Sequence, residues 1–527
     1  MSTYHDTRRP SRARRRSRRL LASGLLASGI VAGAAGLVGM AGPAAAHDLP
    51  HSGESASAVP DDRDRQEAGG DGPDRRYGPE HAEAGGHGPE RPETGGDGPE
   101  RPEAGPDGRD EGERPARGAL VPCDAGKLIA ALVRVNAEGG GALRLSPKCT
   151  YTLTDAFQQP DEYDGGIRDA REAADTAENP GDAEAPPRNP ADDKAGLPVI
   201  YHPVTIEGAG ATIERAGDAE AFRFFTVRDG GELALRDVVL VGGRSAAEGG
   251  AVHVVHGASA LIERVTVVRS TSLSAEGGGG GLFNDGNMVV RDSTFIDNHA
   301  AGRAGKGGGL LNGGVLTLHS STFKGNTAAA YGGGLGNYRG AAEVHDSTFA
   351  YNRAAQGGGL ASFSARTRVA DSAVVGNSAQ TGGGIANSDA LIFLRGMEIR
   401  NNTAAGNGGG IHAFQGLVPL DRSVVLGNTA HGNGGGIHAE KSNLVVRDSA
   451  VRGNHAVESA SKGGGISAVL GRVALFRSTV VGNRASQPAG GLHVDRAQAR
   501  LDPASVVMEN EPTNCVGTRV PVAHCFR

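Results

Sequence analysis

Residues 307–326 read GGGLLNGGVLTLHSSTFKGN, and this unit recurs down the chain. Leu316 and Leu318 alternate with polar residues, Ser321 and Phe323 follow, and Asn326 and Ala328 complete the pattern. The next units repeat it with Ala342, Val344, Ser347, Phe349, Asn352 and Ala354, then with Thr367, Val369, Ser372, Val374, Asn377 and Ala379. Spacing by two is a strand signature, and a helical period would not place these residues so. A fixed repeat of this length marks a stacked architecture.

Asn298, Asn326, Asn352, Asn377, Asn402, Asn428, Asn454 and Asn483 fall 28, 26, 25, 25, 26, 26 and 29 residues apart, each at the same place in its unit. Glycine runs ending at Leu282, Leu310, Leu335, Leu360, Ile385, Ile411, Ile437, Ile466 and Leu492 keep the same step. The predicted fold is all-β: a right-handed parallel β-helix solenoid of roughly eleven coils over residues 197–510, with three short strands per coil. Each coil buries its apolar face only against its neighbours. At about 4.8 Å per coil the rod is on the order of 50 Å long. Asn298 to Asn483 should form a structural ladder of side-chain amides through the turns, with Asn284, Asn312, Asn337 and Asn387 as a second set. The glycine runs supply positive φ at tight corners.

Composition agrees with a thin repetitive core. Of 527 residues 85 are Gly, none is Trp, and aromatics make up 4 %. Eight arginines between Arg8 and Arg19 precede an Ala/Gly-rich apolar stretch, Leu20 to Met40, and Ala44-Ala45-Ala46 offers a cleavage site. Residues 1–46 are therefore expected to be a signal peptide for export, by a twin-arginine or a general secretory route, with a single membrane anchor as the alternative. Removing the eight arginines and Asp6 takes the net charge from −6 to −13. Nucleic acid is not an expected partner of so acidic a chain, and no membrane span is expected after the signal is removed.

Residues 47–118, rich in Gly, Pro and acids, are expected to be a disordered spacer. At residues 119–154 an end cap is expected: Asp124 caps a short helix that buries Leu128, Ile129, Leu132 and Val133, and strands follow. Residues 155–196 read as a flexible polar insertion, and 511–527 as a C-terminal cap. Cys123, Cys149, Cys515 and Cys525 sit as two pairs at the two ends, so pairing within each end is expected, in an oxidising compartment.

The units GGGGGLFNDGNMVVRDSTFIDN (277–298) and GGGLLNGGVLTLHSSTFKGN (307–326) resemble the polymorphic outer membrane protein repeat, with its GG-x-I and F-x-x-N elements. The opening PCD…CTYTL is similar to that of secreted bacterial right-handed β-helix proteins. The resemblance spans roughly residues 121–510 and implies the fold. Later units place Val425, Val451 and Val480 where the repeat often has Phe. No C-terminal translocator barrel follows, so the autotransporter role of that family is not implied.

Sugar-cleaving enzymes share this fold, but the NTD, DD, GHG and RIK elements that set paired carboxylates are missing from the coils. Asp346 and Asp371, equivalent in consecutive coils, are the catalytic candidates, with Ca²⁺ as cofactor only under a lyase reading. Each precedes Ser in a turn, where capping is the competing role, and Asp292 and Asp448 share the register. His412 and His438, one coil apart on the outside, are candidate metal ligands with no third ligand stacked on them, and their competing reading is as ordinary surface residues. The leading expectation is a non-catalytic secreted or cell-surface protein presenting a binding face to glycan or protein. The alternative is a polysaccharide lyase or glycoside hydrolase.

Overall fold

The computed structural model describes residues 118–158 and 194–526. The expected signal peptide, the spacer up to residue 117 and most of the polar insertion (159–193) lie outside them. The rest is an all-β, right-handed parallel β-helix with one short helix.

One coil shows the plan. Leu335–Tyr338 forms the first strand, Ala341–His345 the second, Thr348–Ala350 the third and Arg353–Gln356 the fourth. Each pairs in parallel with its counterpart one coil away, as Leu335 with Leu360, Val344 with Val369 and Phe349 with Val374. This coil thus has four strands rather than the expected three, whereas in the coils of Ile385–Arg395, Ile411–Asp421 and Ile437–Arg447 the first two run together and three remain. The fourth is only two to four residues long and contributes a single buried small residue, serine in the first two coils and alanine after them, too little to stand out as a strand in sequence. These fourth strands form a ten-stranded sheet of their own.

The second-strand column holds fourteen rungs, from Ala119–Val121 and Gly141–Leu145 through Pro203–Arg215 to Gln498–Leu501. The count of eleven over residues 197–510 is one too low, since twelve rungs fall there, and the N-terminal segment adds two more: Val121 pairs with Leu145, and Leu143 with Ile206. Neither rung carries the turn asparagine that marks later coils. Thirteen steps make the column roughly 60 Å long.

Alternation explains the core. Leu335, Val344 and Phe349 point inward with 0 % exposure, and their counterparts merge into one cluster running from Val121 to Cys515. Phe295, Phe323 and Phe349 stack face to face at 4.4 and 5.1 Å. From Val374 onward Ile or Val continues this column, and it stays fully buried to Val480.

The turn asparagines are all buried. Asn298 Nδ2 donates to Asn326 Oδ1 at 2.9 Å and to the Val267 carbonyl at 2.9 Å, and the pattern repeats through Asn483. It continues beyond, because Asn483 donates to Asn510, and Asn510 to Asn514. The second set is shorter: Asn284 donates to Asn312, Asn312 to Asn337, and Asn337 to Thr367 Oγ1. Ser362 occupies the next register position, and Asn387 turns to the Ala390 carbonyl instead.

At the N-terminal end, Ala125–Ala137 is the helix, capped by Asp124, which accepts from the Lys127 amide at 2.8 Å. Its buried face is Leu128, Leu132 and Val135; Val133 is 45 % exposed. Spacing i, i+4, i+7 selects Val135 over Val133. Cys123–Cys149 closes this end and Cys515–Cys525 the other. No helix of the described residues is long and apolar enough to cross a membrane.

Candidate functional site

Every first strand turns its middle residue outward, and these residues form a column: Gly336, Ala361, Ala386, His412, His438, Ser467 and His493. Beside it, on the next outward position, run Tyr338, Phe363, Ser388, Phe414, Glu440, Val469 and Asp495. The residues before the glycine runs rise on the opposite side. Tyr331 reaches across to Phe363 with ring centroids 5.2 Å apart, and Lys306 lies 4.9 Å over Tyr338. The result is a trench whose floor is the first column.

That geometry corrects the placement of His412 and His438. They face away from the core, yet only 9 % and 2 % of their surfaces are exposed. Ordinary surface residues they are not. Their rings stack at 5.4 Å, 12° from parallel, and the Nδ1 atom of each is buried without a hydrogen-bond partner. Burial pushes His412 down to about 4, and burial with its neighbours His412 and His493 pushes His438 down to about 3. Both rings are neutral at pH 7.

Two coils on, His493 completes the set. Its Nδ1 lies 3.3 Å from Ser467 Oγ, and burial, then the nearby Lys462, lowers it to about 4. His438, His493, Glu440, Asp495, Lys462, Arg496 and Arg519, with Asn407 and Asn433, line a cleft of about 350 Å³ at this end of the trench. Arg519 arrives from the disulfide-closed C-terminal segment, whose Arg519 amide donates to the Val494 carbonyl at 3.1 Å. His493 shares the glycine-run-plus-histidine pattern of His412 and His438 and was legible there, but Ser467 interrupts the series. Nothing local announces Lys462, Asp495 or Arg519, which meet only through coil stacking and the terminal segment.

A second surface lies on the outward side of the second strands. Arg366, Arg395, Arg472 and Arg500 are exposed there and make no ion pair among the described residues, whereas Arg368 and Arg447 pair with Glu343 and Asp421. Phe393 is 37 % exposed on the same flank, with Arg368 6.0 Å over its ring, and Arg500 lies 5.9 Å over Phe476.

Asp346 and Asp371 sit at left-handed turn positions, φ +50° and +49°, shared by Asp292 and Asp448 at +48°. Asp is tolerated there better than most side chains. Neither lines the cleft. The described residues hold no group of three or more His, Cys, Asp or Glu placed to share a metal. A larger hollow of about 680 Å³ at the end of the fourth strands is bordered by His455, Arg484 and Glu511, and its two charged residues pair with each other at 3.5 Å.

A family model for the right-handed beta helix region matches residues 335–502. The chain is a right-handed parallel β-helix protein. Among solved structures it is similar in fold to the mannuronan C-5 epimerase AlgE6 A-module of Azotobacter vinelandii, with 15 % identity and a TM-score of 0.38 over 76 % of this chain and 98 % of that one. The AlgE4 A-module of the same organism gives 13 % and 0.37 over 72 % and 94 %. No curated protein matches the chain.

Proposed function

We propose that this β-helix is an exported, non-catalytic recognition protein whose second-strand flank binds an acidic glycan. The observation that carries the reading is the flank itself. Four unpaired arginines and two arginine-covered phenylalanines lie on one outward face of a chain whose net charge is −6. Flat stacking gives that face a repeat of about 4.8 Å, so Arg472 and Arg500, on neighbouring rungs and two residues apart in register, lie within one Debye length, about 10 Å at 0.1 M salt, while Arg366 and Arg395 extend the positive face along the column. A single exposed ion pair contributes roughly 0.2–1 kcal/mol. Useful affinity therefore needs several contacts in a row, which a polymer supplies and a small anion does not. The two disulfides suit an oxidising compartment.

The test is retention of the purified chain on immobilised polygalacturonate and on a neutral glucan. Binding to the acidic polymer alone is expected, falling with salt, and weakened about tenfold or more in the Arg366→Gln, Arg395→Gln, Arg472→Gln, Arg500→Gln variant, a loss of about 1.4 kcal/mol. Equal retention of that variant would remove the flank from the account. Release of reducing or unsaturated ends, with or without Ca²⁺, abolished by Asp346→Ala or Asp371→Ala, would replace recognition with lyase or hydrolase chemistry.

A further inference from the structure

The cleft at the C-terminal end of the trench gathers polar and titratable side chains from successive coils and from the C-terminal segment. His438 is 2 % exposed and His493 7 %, and the Asp495 side chain is 16 % exposed. Burial of that many polar groups is costly unless each finds a partner. Here two atoms do not. His438 Nδ1 and Asp495 Oδ1 are buried without a hydrogen bond, each in a residue that borders an open cleft. The nearest cations to Asp495, Arg496 and Arg519, stand at 3.5 and 3.6 Å from Oδ1, close enough to neutralise charge but outside hydrogen-bonding geometry.

The charge balance selects the missing partner. Lys462, Arg496 and Arg519 bring three positive charges to the lining, Glu440 and Asp495 bring two negative ones, and the histidines are neutral. One positive charge is left over, which suits a monoanion. Asp495 Oδ1 requires a donor, which a hydroxyl provides and a bare anion does not. A phosphate dianion would overshoot the charge and meet two carboxylates. Each neutral imidazole offers one donor and one acceptor, the complement of a hydroxyl group.

We infer that this cleft binds a monocarboxylate bearing hydroxyl groups, the chemistry of a sugar acid, with its carboxylate toward Lys462 and Arg519 and its hydroxyls toward Asp495, His438 and His493. The site stands apart from the arginines of the flank. Arg472 and Arg500 are nevertheless only two to five residues from the lining residues Leu470 and Asp495, so one acidic chain could contact both.

Calorimetry of the full chain with free glucuronate, glucose and inorganic phosphate tests the inference. Saturable glucuronate binding is expected, with glucose and phosphate each about tenfold weaker or worse. Lys462→Met and Asp495→Asn should each weaken glucuronate about tenfold, and the four-arginine flank variant should leave it unchanged. Lys462 is only partly buried, so Lys462→Met keeps the test available if Asp495→Asn fails to fold. No saturable glucuronate binding, phosphate binding as tight as glucuronate, or indifference to Lys462→Met would overturn the inference. Loss of polygalacturonate retention with glucuronate binding intact would sink the flank and spare the cleft.

Discussion

Asn402 takes part in four hydrogen bonds through its side chain. Its Oδ1 accepts from the amide and the Nδ2 of Asn377, each at 2.9 Å, and its Nδ2 donates to the Val374 carbonyl and to Asn428 Oδ1, each at 2.9 Å. Leucine is close in volume but supplies none of these bonds. Asn402→Leu is expected to cost about 1–3 kcal/mol for each polar group left buried and unpaired. An unchanged urea midpoint would show that the turn finds other partners. The histidines of the trench act in the opposite sense, because they are destabilising when charged. Their folded values, about 4 for His412 and about 3 for His438, lie below the ordinary 6.5, so between those limits the unfolded chain binds more protons than the folded one. Stability is accordingly full above pH 6.5 and falls as pH drops from 6.5 toward 4, by up to about 1.4 kcal/mol per unit of displacement for each buried ring. Melting temperatures taken across that window should show the decline, and His412→Leu with His438→Leu should shrink it to the share left by His493, itself lowered to about 4.

At the level of the strand and its corner, the glycine runs do two different jobs. Gly408 turns the chain at φ +72°, while a methyl group on its neighbour Gly409 would sit 2.4 Å from the Gly435 carbonyl oxygen of the next coil. Backbone cannot move aside without breaking the stack. Gly482 also has positive φ, +64°, but nothing lies within 4 Å of its added carbon. Gly482→Ala is therefore expected to cost about 1–2 kcal/mol, the penalty of the left-handed conformation, and Gly409→Ala clearly more. Equal losses in melting temperature would refute the close-approach explanation. The contrast also shows what was legible in the sequence. Period, strand alternation and the turn asparagines are local and repeat, so they announce the coil and its register. The short fourth strand and the two rungs at the N-terminus were hidden because Ala354 alone hardly marks a strand and Leu143 pairs with Ile206 across the polar insertion. The cleft was hidden more deeply. His438, Lys462, Asp495 and Arg519 are distant in sequence and meet only once the coils are stacked, and the burial of outward-facing histidines has no sequence signature at all.

For the whole molecule, the two ends decide whether a stack stays finite. Every interior coil satisfies its strands on both sides, whereas an uncovered terminal coil presents open backbone edges and an apolar cross-section that another copy can extend. The N-terminal end answers this with Ala125–Ala137, whose Leu128, Leu132 and Val135 cover the first coils, and with the Cys123–Cys149 bond across 26 residues. Closing a loop of that size stabilises by about 3 kcal/mol in the chain-entropy account. Deleting residues 118–154 would remove two rungs and leave Val204 and Ile206 on an open edge, with Leu197 and Ile213 losing their cover. The coils beyond would remain paired with one another, so the expected result is association rather than global unfolding. Size-exclusion chromatography should show concentration-dependent oligomers of the truncated chain, while circular dichroism retains its β signal. If the truncated chain elutes as a monomer at every concentration, the cap does not serve to stop end-to-end growth, and the polar rim of the Pro203–Arg215 strand is enough by itself.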